Sequence, residues 1–197
     1  MFLRQIVLIF LLVSNSAWAK FDDLYVGIGN MSKYTKRVQI DSAGGTEAFN
    51  INPMFKVEAR SDINFDWYFL PQLAIVLPQD SRDSQTHKQI FFVMPGFGYR
   101  MDPSFMINSG IGLQFTHIYG DGGTKTLNNG TSSTAFPVPD RNVLTSNAIL
   151  NLGGQYFFNK DISGRIEVSV MNLLIDSGRT TFNYFFMAHY HFGEITW

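Results

Sequence analysis

From Phe55 to Trp67 apolar and polar residues alternate almost without a break. Phe55, Val57, Ala59, Ser61, Ile63, Phe65 and Trp67 hold the odd positions, and Lys56, Glu58, Arg60, Asp62, Asn64 and Asp66 the even ones. Successive side chains of a strand point to opposite faces, so this segment reads as one strand with an apolar and a charged face. A helix would scatter those charges around its circumference. The same alternation recurs over Ser104–Ile118, Val143–Phe158, Arg165–Leu174 and Phe182–Phe192, and more weakly over Leu24–Tyr34, Leu70–Gln79 and Lys88–Arg100. That predicts eight strands, all-β, in a single domain.

The connections have their own order. Thr35–Asn50, Asp80–His87 and Tyr119–Asn142 are long or polar, and Ile175–Arg179 is the short member of this set. Between them fall tight turns, predicted near Tyr68-Phe69, Met101-Asp102-Pro103 and Asn159-Lys160-Asp161, where Asn, Asp and Pro supply the turn chemistry. Long loops at one end and short turns at the other predict an eight-stranded antiparallel up-and-down transmembrane β-barrel, with outer loops and periplasmic turns. The Tyr119–Asn142 loop reads as mobile surface.

Strand length, aromatics and charge all place the apolar face against lipid. Thirteen residues at about 3.3 Å rise and a 40° tilt cover roughly 30 Å. Tyr34, Trp67, Tyr68, Tyr99, Tyr119, Tyr156 and Tyr184 sit near strand ends, where interfacial girdles belong. Turned inward, Lys56, Glu58 and Arg60 meet Arg165 and Glu167 in a narrow lumen as a charge network that plugs it. Gly27, Gly29, Gly96, Gly98, Gly110, Gly112 and Gly153 fall on the same inward face and make room for these side chains. Pro95 lacks a ladder donor, and a bulge is expected there.

The first residues belong to export rather than to the fold. Arg4, the apolar run Ile6–Val13 and the ending Ala17-Trp18-Ala19 form the three regions of a cleaved signal peptide, residues 1–19, ahead of a barrel domain over residues 20–197. The apolar run is shorter than the ~20 residues of a spanning helix. Fifteen Lys and Arg against sixteen Asp and Glu leave no basic excess, which argues against a nucleic-acid binder. The absence of cysteine excludes disulfides, thiolate metal sites and a cysteine nucleophile.

Candidate chemistry is sparse. His189 and His191 share one strand face, but no third metal ligand stands at a defined position. Asp176 and Ser177 with His189 or Glu194 contain the residue types of a triad, yet no spacing demands one. No catalytic residue, metal or cofactor is assigned. Lys33, Lys36 and Arg37 at the outer end of the first strand, with Arg82 and Lys88 around the second loop, are candidate contacts for lipopolysaccharide phosphates.

Leader, alternating strands and the ending Ala188-His189-Tyr190-His191-Phe192-Gly193-Glu194 resemble the small OmpA/OmpX-type outer-membrane barrels. Tyr190 and Phe192 are similar to that family's closing-strand signature read by the barrel-assembly machinery, although five residues follow the Phe. The resemblance implies a barrel in the bacterial outer membrane, surrounded by lipid and lipopolysaccharide; the role expected of it is structural or surface-interaction through its outer loops, with a monomer favoured over an oligomer. Two other readings use the same alternation. One is a lipid-modifying enzyme of the lipid A hydrolase or acyltransferase type, and the other a soluble exported barrel that holds a ligand.

Overall fold

In a computed structural model the chain is described over residues 21–39, 46–80, 86–128, 133–138, 140, 142–172 and 180–193. The signal peptide read from residues 1–19 lies outside the described residues, as do Arg82, Asp176, Ser177 and Glu194. Among the described residues ten strands occur, in chain order β1 (Asp23–Gln39), β2 (Thr46–Asp62), β3 (Trp67–Asp80), β4 (Thr86–Asp102), β5 (Phe105–Gly120), β6 (Thr124–Asn128), β7 (Ser133–Pro137), β8 (Val143–Phe157), β9 (Ile162–Met171) and β10 (Thr181–His191). Eight of them close an all-antiparallel barrel in the order β1-β10-β9-β8-β5-β4-β3-β2. The shortest barrel strand, β9, has 10 residues, which meets the roughly 9–11 that a tilted strand needs to cross a bilayer.

The interrupted stretch between β5 and β8 is not featureless. It carries the hairpin β6–β7, paired from Thr124↔Pro137 to Asn128↔Ser133 beyond the barrel. Similarly, β2 begins at Thr46, so part of the expected first loop is strand.

One turn lies elsewhere than the alternation suggests. β2 ends at Asp62 and β3 begins at Trp67, so residues 63–66 make the turn and Tyr68-Phe69 are strand. The cause is Asn64, whose Oδ1 accepts from the Asp66 and Trp67 amides at 3.1 and 3.0 Å, a side-chain turn that competes with the ladder. Asn159 does the same at the β8–β9 turn, accepting from Asp161 and Ile162 at 2.8 Å. Asp102 accepts from the Ser104 amide at 2.7 Å between β4 and β5.

The expected bulge at Pro95 is absent. Pro95 stands opposite Pro71, and the β4–β5 register is the same on both sides of it, from Val93↔Leu113 to Gly96↔Gly110. The two imino acids oppose each other, and the rungs they cannot make are simply missing on the far side of each strand.

The face assignment follows the pleat. Ile111, Leu152, Ile28 and Ile166 are 58–69% exposed on the outside, while Lys56, Glu58, Arg165 and Glu167 are at most 2% exposed. Trp67, Tyr99, Tyr156 and Tyr190 face outward near the end that carries both chain termini, with Trp67–Tyr99 and Tyr190–Phe192 ring pairs 5.1 and 5.0 Å apart. Tyr68 departs from that girdle. It points inward and is buried, with Arg60 and Arg100 each 5.2 Å from its ring.

Glycines let the inner side chains reach the axis. A Cβ at Gly27 would sit 2.5 Å from the His189 ring, and one at Gly153 2.6 Å from Glu167 Cγ. At Gly29 a Cβ would meet the Phe186 carbonyl and lie 2.8 Å from Met187 Cα, both backbone atoms. Gly29→Val is therefore expected to destabilise the barrel by about 1–3 kcal/mol, because no rotamer change relieves a backbone clash. Urea unfolding in liposomes, read by gel mobility, measures this, and an unchanged midpoint would contradict the packing.

Candidate functional site: the lumen

The lumen is built in layers. Nearest the termini lie Asp23, Tyr25, Arg60, Tyr68, Ser163 and His191; above them comes a hydrogen-bonded charge network. Next is an apolar layer of Met31, Met54, Val76, Ile90, Phe92, Met94, Ile149, Met171, Phe185 and Met187. Polar residues Asn52, Gln114, Thr116 and Asn183 follow toward the loop end, with Lys33 and Lys88 half-buried at the mouth.

The network centres on Glu167 of β9. Lys56 Nζ donates to both its oxygens at 2.9 Å, Asn108 Nδ2 to Oε1 at 2.7 Å, and Asn151 Nδ2 to Oε2 at 3.2 Å. Arg165 Nη1 donates to Glu167 at 3.1 Å and to Glu58 Oε2 at 2.6 Å, while its Nη2 bonds both Glu58 and Gln155. Two cations and two carboxylates balance, and the guanidinium fork engages Glu58 with both nitrogens, the strong geometry for such a pair. Residues from β2, β5, β8 and β9 are thereby tied across the axis. Arg60 stands apart from this centre, 3.1 Å from Asp62 and 4.0 Å from Asp23, with its Nη1 donating to Tyr25 Oη at 3.2 Å.

The network continues to the barrel's seam. Gln155 Nε2 donates to Ser163 Oγ at 2.7 Å; Ser163 Oγ and His191 Nε2 lie 2.7 Å apart, and His191 Nδ1 is 3.2 Å from Asp23 Oδ2. Asp23 Oδ1 also accepts from the Gly193 amide at 2.8 Å. Ser163, His191 and Asp23 stand in the order of a nucleophilic triad. Ser163 is fully buried, however, and its oxygen already accepts from Gln155. The arrangement joins β1, β9 and β10 where the sheet closes on itself, and it acts as a clamp. Nothing local in the chain signals it, since Asp23 and His191 are 168 residues apart.

Three buried polar atoms without a partner among the described residues, Gln72 Oε1, Asn151 Oδ1 and Ser169 Oγ, belong to residues lining a cavity of about 10 Å³ between the network and the apolar layer. That is room for a single water molecule, with two acceptors and one hydroxyl to hold it. His189 lies on the same inner face with both ring nitrogens unpartnered among the described residues.

Of the outer cations named from the sequence, Lys33 and Lys88 occupy inward positions in the loop-side parts of β1 and β4. Lys36 and Arg37 lie in the last part of β1, and Arg82 falls outside the described residues.

A closed eight-stranded antiparallel barrel, apolar outside and charged within, is the fold of the small outer-membrane β-barrels. Among solved structures the chain is similar to Ail, the attachment invasion locus protein of Yersinia pestis, at 14% identity and a TM-score of 0.52, covering 87% of this chain and 99% of that one. It is also similar to the outer membrane protein OprG from Pseudomonas aeruginosa, at 12% identity and a TM-score of 0.52, covering 88% of this chain and 97% of that one. At these identities the likeness speaks for the fold. No protein-family model and no curated protein matches the chain.

Proposed function

We propose that this protein is an integral protein of the bacterial outer membrane whose lumen is closed to ions, and that it works at the cell surface through its loop end. The observation that carries this reading is the inverted distribution of polarity. Ile111 at 69% exposure and Leu152 at 59% stand on the outside, and Arg165 and Glu167 at 2% on the inside. Water rewards the opposite arrangement, and lipid rewards this one. Closure also leaves no unpaired strand edge, as a membrane requires.

The end with the termini and short turns then faces the periplasm, and the hairpin β6–β7 projects from the outer surface. Residues 1–19 act as the export signal, and Tyr190 and Phe192 as the part of β10 read by the barrel-assembly machinery. Lipopolysaccharide phosphate is the partner proposed for Lys36, Arg37 and Arg82, whereas Lys33 and Lys88 turn into the lumen. Eight strands leave an interior filled by side chains, and here charge pairs and an apolar layer occlude it in series.

Fractionation tests the location. The protein is expected to remain with outer membranes through carbonate washing and to migrate faster on gels unheated than boiled. Recovery in the soluble periplasm would overturn the proposal in favour of an exported ligand-binding barrel.

A further inference from the structure

We propose that the outer mouth of the lumen is a binding site for a phosphate-class oxyanion, held between Lys33 of β1 and Lys88 of β4. The two residues stand on strands separated by β2 and β3, both on inward-facing positions, so both side chains project into the loop-side part of the same narrow lumen. In a ring of eight strands β1 and β4 are three steps apart, so the two like charges look into the lumen from well-separated parts of its wall. Lys56, Arg60 and Arg165 each have a carboxylate within 4.0 Å, whereas among the described residues neither mouth lysine has an ion-pair partner.

What lies beneath them completes the site. Asn183, the cross-strand neighbour of Lys33, donates through Nδ2 to Gln114 Oε1 at 3.2 Å, and Gln114 Nε2 donates to Thr116 Oγ1 at 3.3 Å. These three buried neutral residues form a polar floor that reaches from β10 to β5 across the lumen. Under that floor lies the apolar layer, which separates the mouth from Glu58 and Glu167, so those carboxylates are spent on Lys56 and Arg165. Two inward-facing cations over a low-dielectric layer concentrate positive potential at the opening. An oxyanion is drawn to that potential and finds amide and hydroxyl groups on the floor. A compact, multiply charged group suits two ammoniums better than a single carboxylate does, because its charge offsets both cations and its further oxygens can accept from the floor.

The site rests on the barrel's geometry and not on the lipopolysaccharide contact proposed above. The phosphate comes either from a soluble ligand or from lipopolysaccharide bending over the rim, and the experiment separates the two. The full mature chain, in a maltoside detergent free of lipopolysaccharide, is titrated with inorganic phosphate and with pyrophosphate by calorimetry and ³¹P NMR. Saturable binding is expected, weaker by about tenfold or more in Lys33→Gln and in Lys88→Gln and lost in the double variant, with a steep fall as salt rises. Lys160→Gln, at an exposed turn on the opposite end, serves as the control and is expected to bind as the parent does. Gel mobility of the unheated variants confirms that each barrel is folded. Displacement of pyrophosphate by added lipopolysaccharide assigns the site to the membrane-borne phosphate, and its persistence assigns the site to a soluble anion. Absence of saturable binding in the parent, or equal binding in the folded double variant, would overturn the proposal.

Discussion

Glu167→Ala is expected to cost the folded barrel about 3–5 kcal/mol, among the largest effects of any single substitution in this chain. The carboxylate accepts hydrogen bonds from Lys56, Asn108, Asn151 and Arg165. Its removal leaves Lys56 buried with Glu58 3.8 Å away as the remaining ion-pair partner. Arg165 must then be shared, and the two amide groups lose their acceptor. The charge balance of the network shifts to a net positive value among buried groups. Unfolding by urea in liposomes measures the loss. A change below ~1 kcal/mol, the scale of a solvated surface pair, would mean that the network is hydrated rather than sealed.

The second large effect concerns the outside. Ile111→Arg, near the middle of β5, is expected to destabilise the membrane-inserted barrel by about 2–4 kcal/mol, because a guanidinium at the midplane has no partner in lipid. Gln114→Ala, three residues along the same strand, removes only neutral hydrogen bonds to Asn183 and Thr116 and is expected to cost about 1 kcal/mol. The contrast is the informative quantity. Equal losses at the two sites, measured in the same bilayers, would reverse the inside and outside of the barrel.

Legibility in the sequence follows from how chemically distinct the two faces are. Lys56, Glu58 and Arg60 alternate with Phe55, Val57 and Ala59, so the order of residues alone displays the pleat of β2. In β4 the run Ile90-Phe91-Phe92-Val93-Met94 is apolar on both faces, and alternation cannot tell that Phe92 and Met94 fill the lumen. The charge network read from β2 and β9 therefore left the methionine-rich layer beside it unseen. The β2–β3 turn was hidden because Asn64 continues the polar pattern while its side chain captures two backbone amides. The Ser163–His191–Asp23 clamp was invisible in principle, since strand closure rather than spacing brings its members together. Asn108, Gln155 and Asn151 gain their meaning only from the charges of Arg165 and Glu167 on β9.

The most direct test of a lipid-facing, side-chain-filled barrel uses the chain's lack of cysteine. Single cysteines introduced in turn at residues 106–114 of β5 are spin-labelled, reconstituted in bilayers and probed for collision with oxygen, which concentrates in the hydrocarbon. Accessibility is expected to alternate with a period of two, high at 107, 109, 111 and 113 and low at 106, 108, 110, 112 and 114. A flat profile, or one with the opposite phase, would contradict the assignment of these faces to lipid and lumen.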